Sequence, residues 1–571
     1  MTALFRKASA CSPAAWSFAR VEEFWRELEA LTPYGKDYLE ARHVHSDLAA
    51  IEASYDDIDA YGRFAARTQA ASARLDKLAW HLRRVPRLPA FGVPGAVELF
   101  LFKKFLSNCK ACADLLDEEA RAHFGIEFTS GELAELLSMG GADPESFHIA
   151  DAYDKALGPL RAEISGIAGE IAQRYSALAD AELGAFGFDF SGREFLIVPA
   201  EKALAAAALG AGRGLAVEPY DDRSYMVRRV PDTAILELER RREALREEER
   251  ALEAGAAAKI SASVDRFEGD FSRYIKAVKR LDVARSRYLL AVKRGLIRPV
   301  LGASALKVEA GRFLPLAGDC ASMGAAYTPI SAALRHSAAV LSGSNMGGKT
   351  VALQSILFLQ ILAQSGSYVP AARYEGKLYD FIEYVGEGGD GGARSKGLSG
   401  FGREIRDLSR MLERSAKEAC LVAFDEFART TSSEEAEALL SEAVGRFASA
   451  WRCTALFATH FGRIERGEAV HWLRMAGLDR KAARERLNAA ADAPADSADS
   501  SDGAAAAAAN DARLRDINRL MRYEILEDGA SDSDALEIAT LLGLDRSLVD
   551  GARKRLAMRR GGVRGEGGED L

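Results

Sequence analysis

The sequence predicts a multidomain α + α/β protein: a helical core with two long helices and a small strand-containing module, followed by an α/β domain with a largely parallel sheet. Three observations carry this. Apolar residues recur at helical spacing through the first half of the chain. After Pro299 the composition turns to short apolar strands separated by glycine loops and alternating with helices. Between a strand-like and a helix-like run stands "GSNMGGKT", a stretch with three glycines in eight residues.

With 571 residues and 48 % hydrophobic content the chain can bury several cores. No run approaches the roughly 20 apolar residues of a membrane span, and "MTALFRKASACSP" has no apolar core long enough for a signal peptide. A cytoplasmic protein without a membrane partner is expected. Six cysteines are too sparse for a disulfide framework. Cys109 and Cys112 form a C-x-x-C inside "FLSNCKACADLL", with no second pair or nearby histidine to complete a zinc site, so they read as buried helical cysteines. A net charge of -8 argues against coating nucleic acid by bulk charge and leaves a local basic groove open.

Taken in order, residues 1–150 alternate short helical patterns with turn signals such as "LTPYG" and "MGGADP" and form the expected helical core region. Residues 151–297 hold the two long helices. Leu157, Leu160, Ile164, Ile167, Ile171 and Leu178 share one seam of the first. Asp232 caps the second, whose Leu238, Leu245 and Leu252 lie seven apart with Arg and Glu on the other faces, as in an exposed antiparallel partner. Between them, at about 187–231, glycines, prolines and the runs "FLIVP" and "SYMV" predict a small module with strands at the tip of a lever. Residues 298–475 form the α/β domain. A low-complexity insertion follows at 488–510, and residues 511–571 form a C-terminal helical segment with a Gly-rich tail.

The glycine-rich stretch satisfies G-x-x-x-x-G-K-[ST] between "AAVL" and "VALQSILFLQIL", the context its mechanics require. The loop Gly343, Ser344, Asn345, Met346, Gly347 and Gly348, half of it glycine, lets backbone N–H groups surround phosphates. Lys349 reaches the β/γ-phosphates and Thr350 ligates Mg²⁺. ATP and Mg²⁺ are therefore the expected ligands. "CLVAFDE" ends an apolar strand in two carboxylates: Asp425 to hold the metal and Glu426 to orient or deprotonate the attacking water. "LFATHF" repeats the arrangement, with His460 placed to touch the γ-phosphate.

These residues together resemble the MutS family, the ABC-class ATPases of DNA mismatch repair and their relatives. "GSNMGGKT" is close to the family's G-P-N-M-G-G-K-[ST], "GSYVPA" at 366–371 matches a hallmark, and "FDEFARTTSS" resembles D-E-x-G-R-G-T-S. "FATHF" and "YEILEDGASDSDALEIATLLGL" match later segments, and residues 25–297 follow more loosely the order of the family's core, lever and clamp. The resemblance implies an ABC-type P-loop ATPase domain. "LSGFGREI" takes the signature position, with Ser399 completing the ATP site of the opposite subunit in a homodimer. Ala428 and Thr430 depart from the family by replacing glycines beyond the paired acids. The chain begins near the family's core domain, which removes mispair reading of the usual kind from the expectation, and no nuclease-like domain is expected after the ATPase.

DNA is the expected partner by that resemblance, through Arg193, Lys202, Arg213, Arg223, Arg228 and Arg229 of the clamp module. Glu194, Glu201, Glu218, Asp221 and Asp222 lie among them, so the footprint is weak, with a salt slope of roughly -5 for a dimer if about three cations per subunit touch phosphates. Two other readings remain open. One is a protein-remodelling ATPase whose levers grip a protein client, like the truncated MutS-like reactivators of cobalamin-dependent aminomutases. The other is a scaffold that binds ATP without turnover, against which the Asp425–Glu426 pair argues.

Overall fold

The computed structural model describes residues 9–68, 72–92, 95–141, 143, 145–190, 193–210, 215–343, 346–386, 400–429, 431–461, 463–491, 517, 519–527 and 534–562. The chain divides into two compact units. One is Ala71–Val278; the other joins Met1–Ala70 to Lys279–Leu571. The expected 1–150 region is thus shared between them.

In the unit Ala71–Val278 the helices Ser72–Arg84 and Ala96–Leu115 pack through Leu78, Leu82, Leu99, Phe102, Phe105 and Leu106, all at most 2 % exposed. Cys109 and Cys112 lie in the same buried stripe, both fully covered. The helix Leu157–Phe186 runs antiparallel to Thr233–Asp265: Arg161 bonds Glu249, whereas Arg229, just before the second helix, reaches the carbonyl of Tyr175. Asp232 caps the second helix by accepting from the Ile235 amide at 2.6 Å. The seam holds Ile167, Ile171 and Ile235, with Leu178, Leu238 and Leu245 packed against them. Each buried aliphatic there contributes roughly 1.5–3 kcal/mol, against about 0.2–1 kcal/mol for each surface ion pair.

Between these helices three strands, β1 (Phe195–Pro199), β2 (Leu215–Pro219) and β3 (Ser224–Arg229), form an antiparallel sheet in the order β1-β3-β2. Strand alternation sends Leu196, Val198, Val217 and Val227 inward onto Phe188, Phe190 and Ala203. A helix, Ala200–Gly210, stands between β1 and β2.

In the other unit the described residues make two sheets. β4 (Val300–Leu301), β5 (Leu306–Gly311), β6 (Ile330–Leu334) and β8 (Arg373–Gly376) form one, in the order β4-β8-β5-β6. The larger sheet runs β13-β12-β7-β11-β10-β9, from β7 (Ala338–Ser342), β9 (Phe381–Val385), β10 (Cys420–Asp425), β11 (Thr454–Thr459), β12 (Val470–Leu478) and β13 (Met521–Glu527). All neighbours are parallel except β12 and β13. Residues 521–527 therefore close the sheet as an edge strand ahead of the C-terminal helices Ala535–Leu541 and Arg546–Gly562.

The central strands are apolar on both sides because both faces are covered. Ala339, Leu341, Leu421, Ala423, Leu456 and Ala458 meet the helix Lys349–Gln364. Ala338, Val340, Val422, Phe424, Ala455 and Phe457 meet the helices Gly400–Ser415 and Ser433–Ala448. Residues near the N-terminus belong to the same core: Phe18 stacks on Tyr384 at 3.7 Å, and its carbonyl accepts from Gln354. The helix Arg480–Ala491 extends into the segment expected as low complexity, whose residues 492–510 lie outside the described residues.

Candidate functional site

Pairing of β7, β11 and β10 in parallel register aligns Ser342 with Thr459 and Ala458 with Asp425, so three strands deliver their last residues to one edge of the sheet. That edge, at the carboxyl ends of parallel strands, is where open α/β sheets bind ligands. Just beyond β7 the chain turns through Gly343 and enters the helix at Lys349. Gly348 holds φ 86°, a left-handed conformation natural only to glycine, and a Cβ there would come within 3.0 Å of the Tyr523 ring. Met346 is exposed and Gly347 buried. Ser344 and Asn345 lie outside the described residues, as does Ser399, which directly precedes the helix Gly400–Ser415.

Lys349 is 3 % exposed, and its Nζ donates to the Gly343 carbonyl at 2.9 Å. Burial pushes its ammonium below the usual lysine value, while the charges of Glu426 and Asp425 oppose that shift. Thr350 Oγ1 donates to Asp425 Oδ2 at 2.9 Å. The other carboxylate oxygen, Oδ1, is buried and has no hydrogen-bond partner among the described residues. Burial raises the Asp425 pKa, the Thr350 bond lowers it, and neighbouring Glu426 raises it further. A buried carboxylate oxygen without a donor, beside a threonine hydroxyl, fits a hard divalent cation. Among the described residues no group of three His, Cys, Asp or Glu side chains gathers to hold a metal.

Glu426 lies between two cations, Lys349 and Arg429, and the ring of His460. Lys349 Nζ and His460 Nδ1 are each 3.9 Å from its Oε1, and Arg429 is 3.6 Å from Oε2. Its amide bonds the Ala458 carbonyl, tying the turn after β10 to β11. That turn is strained: Glu426 and Ala428 adopt φ of 52° and 64°, at a cost of roughly 1–2 kcal/mol each for a non-glycine residue. Ala428 thus takes the left-handed shape at a position where the family pattern has glycine, and its amide is held by Glu404.

Sequence reasoning misses two neighbours of the loop. Met475 on β12 lies 3.1 Å from where a Cβ on Gly343 would stand, and Tyr523 on β13 fills the space above Gly348. The alternation in "MRYEILE" is the available signal, separated from the rest of the sheet by the low-complexity stretch.

Of the six cations predicted to touch DNA, Arg228, Arg229 and Lys202 make contacts within the unit. Arg228 makes a two-point pair with Glu218, at 2.7 and 3.1 Å. Arg229 donates to the carbonyls of Tyr175 and Arg193 and covers the Phe190 ring at 4.9 Å. Lys202 lies 5.6 Å from the Phe188 ring. Arg193 and Arg223 are exposed, and Arg213 is outside the described residues.

The fold and the site combine a glycine-rich loop between a strand and a helix with acidic and histidine residues on adjacent strand ends. Comparison with known proteins places the chain more narrowly: the profile of MutS domain V matches residues 339–558. Among similar proteins, the DNA mismatch repair protein MutS of Caulobacter vibrioides is 33 % identical over 197 residues, covering 33 % of this chain and 21 % of its own length. The DNA mismatch repair protein MSH3 of Chaetomium globosum is 30 % identical over 339 residues, or 56 % and 27 %. A MutS of Thermus thermophilus is 27 % identical over 283 residues, or 49 % and 30 %. The matched part thus spans no more than about a third of these relatives. Over its C-terminal part the chain is similar to MutS-family proteins. No helix among the described residues is long and apolar enough to cross a membrane.

Proposed function

We propose that the chain is a MutS-like ATPase that hydrolyses ATP with Mg²⁺ and works as a homodimer whose nucleotide state opens and closes two levers around DNA. The observation that carries the reading is the Thr350–Asp425 pair with one carboxylate oxygen left without a donor, next to a buried Lys349 and to Glu426. In this reading Thr350 and Asp425 hold Mg²⁺, which neutralises charge on the phosphate oxygens. Lys349 exchanges the Gly343 carbonyl for the β/γ-phosphates. The backbone of Gly343 to Gly348 surrounds them. Glu426 orients the attacking water and accepts its proton, held in place by the cations at 3.6 and 3.9 Å. His460 senses the γ-phosphate, and Ser399 of each subunit completes the other's site.

Glu426→Gln tests the assignment directly. Turnover is expected to fall around a hundredfold, equivalent to roughly 3 kcal/mol of transition-state stabilisation, with ATP binding retained. Wild-type turnover would remove Glu426 from the role. The DNA part is tested by steady-state ATPase activity at about 50 mM salt with duplex, mismatched, branched and single-stranded DNA, because phosphate contacts are strongest at low salt. Stimulation by one form supports the clamp; turnover indifferent to all of them favours a protein client.

A further inference from the structure

The clamp module has few cations to spare, and a more exposed aromatic–basic surface in the same unit lies elsewhere, on the helix Ser72–Arg84. Between residues 72 and 87 the sequence has five cations (Arg74, Lys77, Arg83, Arg84, Arg87) against one acid, Asp76. Leu78 and Leu82 are fully buried, which fixes the orientation of this helix. Trp80 falls on the opposite side and is 50 % exposed. Lys77, three residues before it, and Arg83, three after, are exposed on the same face.

Trp80 is an indole in water, yet it is held in place. The Arg84 guanidinium sits 4.2 Å from its ring centroid, and His81 meets the ring edge-on at 4.6 Å. Arg84 is in turn fixed by Glu145 at 2.6 Å, which also binds Lys104 at 2.7 Å. A solvated basic helix face has no use for a large aromatic at its centre, and still less for an ion-pair network that orients it. A polymer of phosphates and flat bases uses both, since stacking on an aromatic platform and phosphate pairing with flanking cations are the two components of single-strand binding.

We infer that the face formed by Lys77, Trp80 and Arg83 binds single-stranded nucleic acid, one base stacking on Trp80 while Lys77 and Arg83 contact phosphates. This rests on the reading of the chain as a DNA-associated ATPase, and it names the strand form that such an ATPase engages. Duplex DNA, with its bases already stacked, can use only the two cations. An acidic protein segment can use only the charges.

The test is fluorescence anisotropy on the full chain at about 50 mM salt with a labelled oligothymidylate and oligouridylate of about 20 nucleotides, a duplex of the same length, and polyglutamate. Single strands are expected to bind more tightly than the duplex, and the stronger of the two identifies the sugar. Trp80→Ala should weaken single-strand binding at least tenfold, while Trp80→Phe, which keeps a ring, stays within about threefold. Lys77→Glu with Arg83→Glu should weaken it and flatten the salt slope by about 1.4, two phosphate contacts at roughly 0.7 each. Equal binding by wild type and Trp80→Ala overturns the inference, as does failure of both single strands to bind or polyglutamate binding as tightly as they do. ATP turnover measured on the same samples separates the two levels. Turnover without single-strand binding sinks this surface and leaves the ATPase reading standing, whereas Trp80-dependent binding without turnover does the reverse.

Discussion

Asp282 is a buried carboxylate and Asp425 a half-buried one, and they differ in what their surroundings ask of them. Asp282 has no exposed surface and accepts from the amides of Leu31 and Thr32 and from the Thr32 hydroxyl, at 2.9, 2.7 and 2.8 Å. Removing it by Asp282→Ala strands these donors, and a loss of about 3 kcal/mol is expected in denaturant unfolding. Asp425 has an oxygen with no such donor, and burial raises its pKa. In the metal-free protein the folded state keeps this proton to a higher pH than the unfolded chain does. The Asp425 contribution therefore makes stability fall as pH rises from the ordinary carboxylate range through the raised value. Asp425→Asn should remove that slope, stabilise the metal-free protein near neutral pH and abolish turnover; thermal unfolding with and without Mg²⁺ reads the first two. A variant less stable than wild type without metal would contradict the account. Lys349, Thr350, Asp425 and Glu426 are legible in the sequence because each lies within a contiguous motif whose chemistry is local. The Asp282–Thr32 contact is not, because nothing in "LTPYG" says that its partner stands 250 positions further along.

The pair of long helices shows how far periodicity reaches. The apolar seam is readable from spacing alone, and Ile171, 5 % exposed, lies in it. Ile171→Ala should cost about 2–3 kcal/mol, whereas Arg241→Ala, which loses a surface bond to Glu163, should cost under about 1 kcal/mol. Hydrogen exchange of amides in Thr233–Asp265 distinguishes the two. The strands of the small sheet are also visible as apolar runs, but their pairing is not. The β1-β3-β2 order sets Arg228 beside Ala216 and Glu218 beside Met226, leaving Glu218 within reach of a cation expected to face DNA. Strand β13 is hidden for a similar reason. Its two-residue alternation is short, and the strand it joins precedes a long stretch with no periodicity at all.

Across the whole chain, the unit that holds the candidate site is built from two segments, with the unit Ala71–Val278 between them in sequence. ATP with Mg²⁺ should therefore shift only one of two calorimetric transitions. At a ligand concentration of about 100 Kd the gain is roughly 2.7 kcal/mol, and Lys349→Ala should remove it. Movement of both transitions by the same amount would show that the units unfold as one. The divided unit also sets an order of events during synthesis. Phe18 and Phe24 belong to one core with Phe358 and Tyr384, and 336 positions already separate Phe18 from Gln354, which bonds its carbonyl. At about 5–20 residues per second this is a delay of roughly 15–70 s. For that time Phe18 and Phe24 have emerged without the sheet they will cover, and a chaperone that shields apolar segments on the ribosome has a client there.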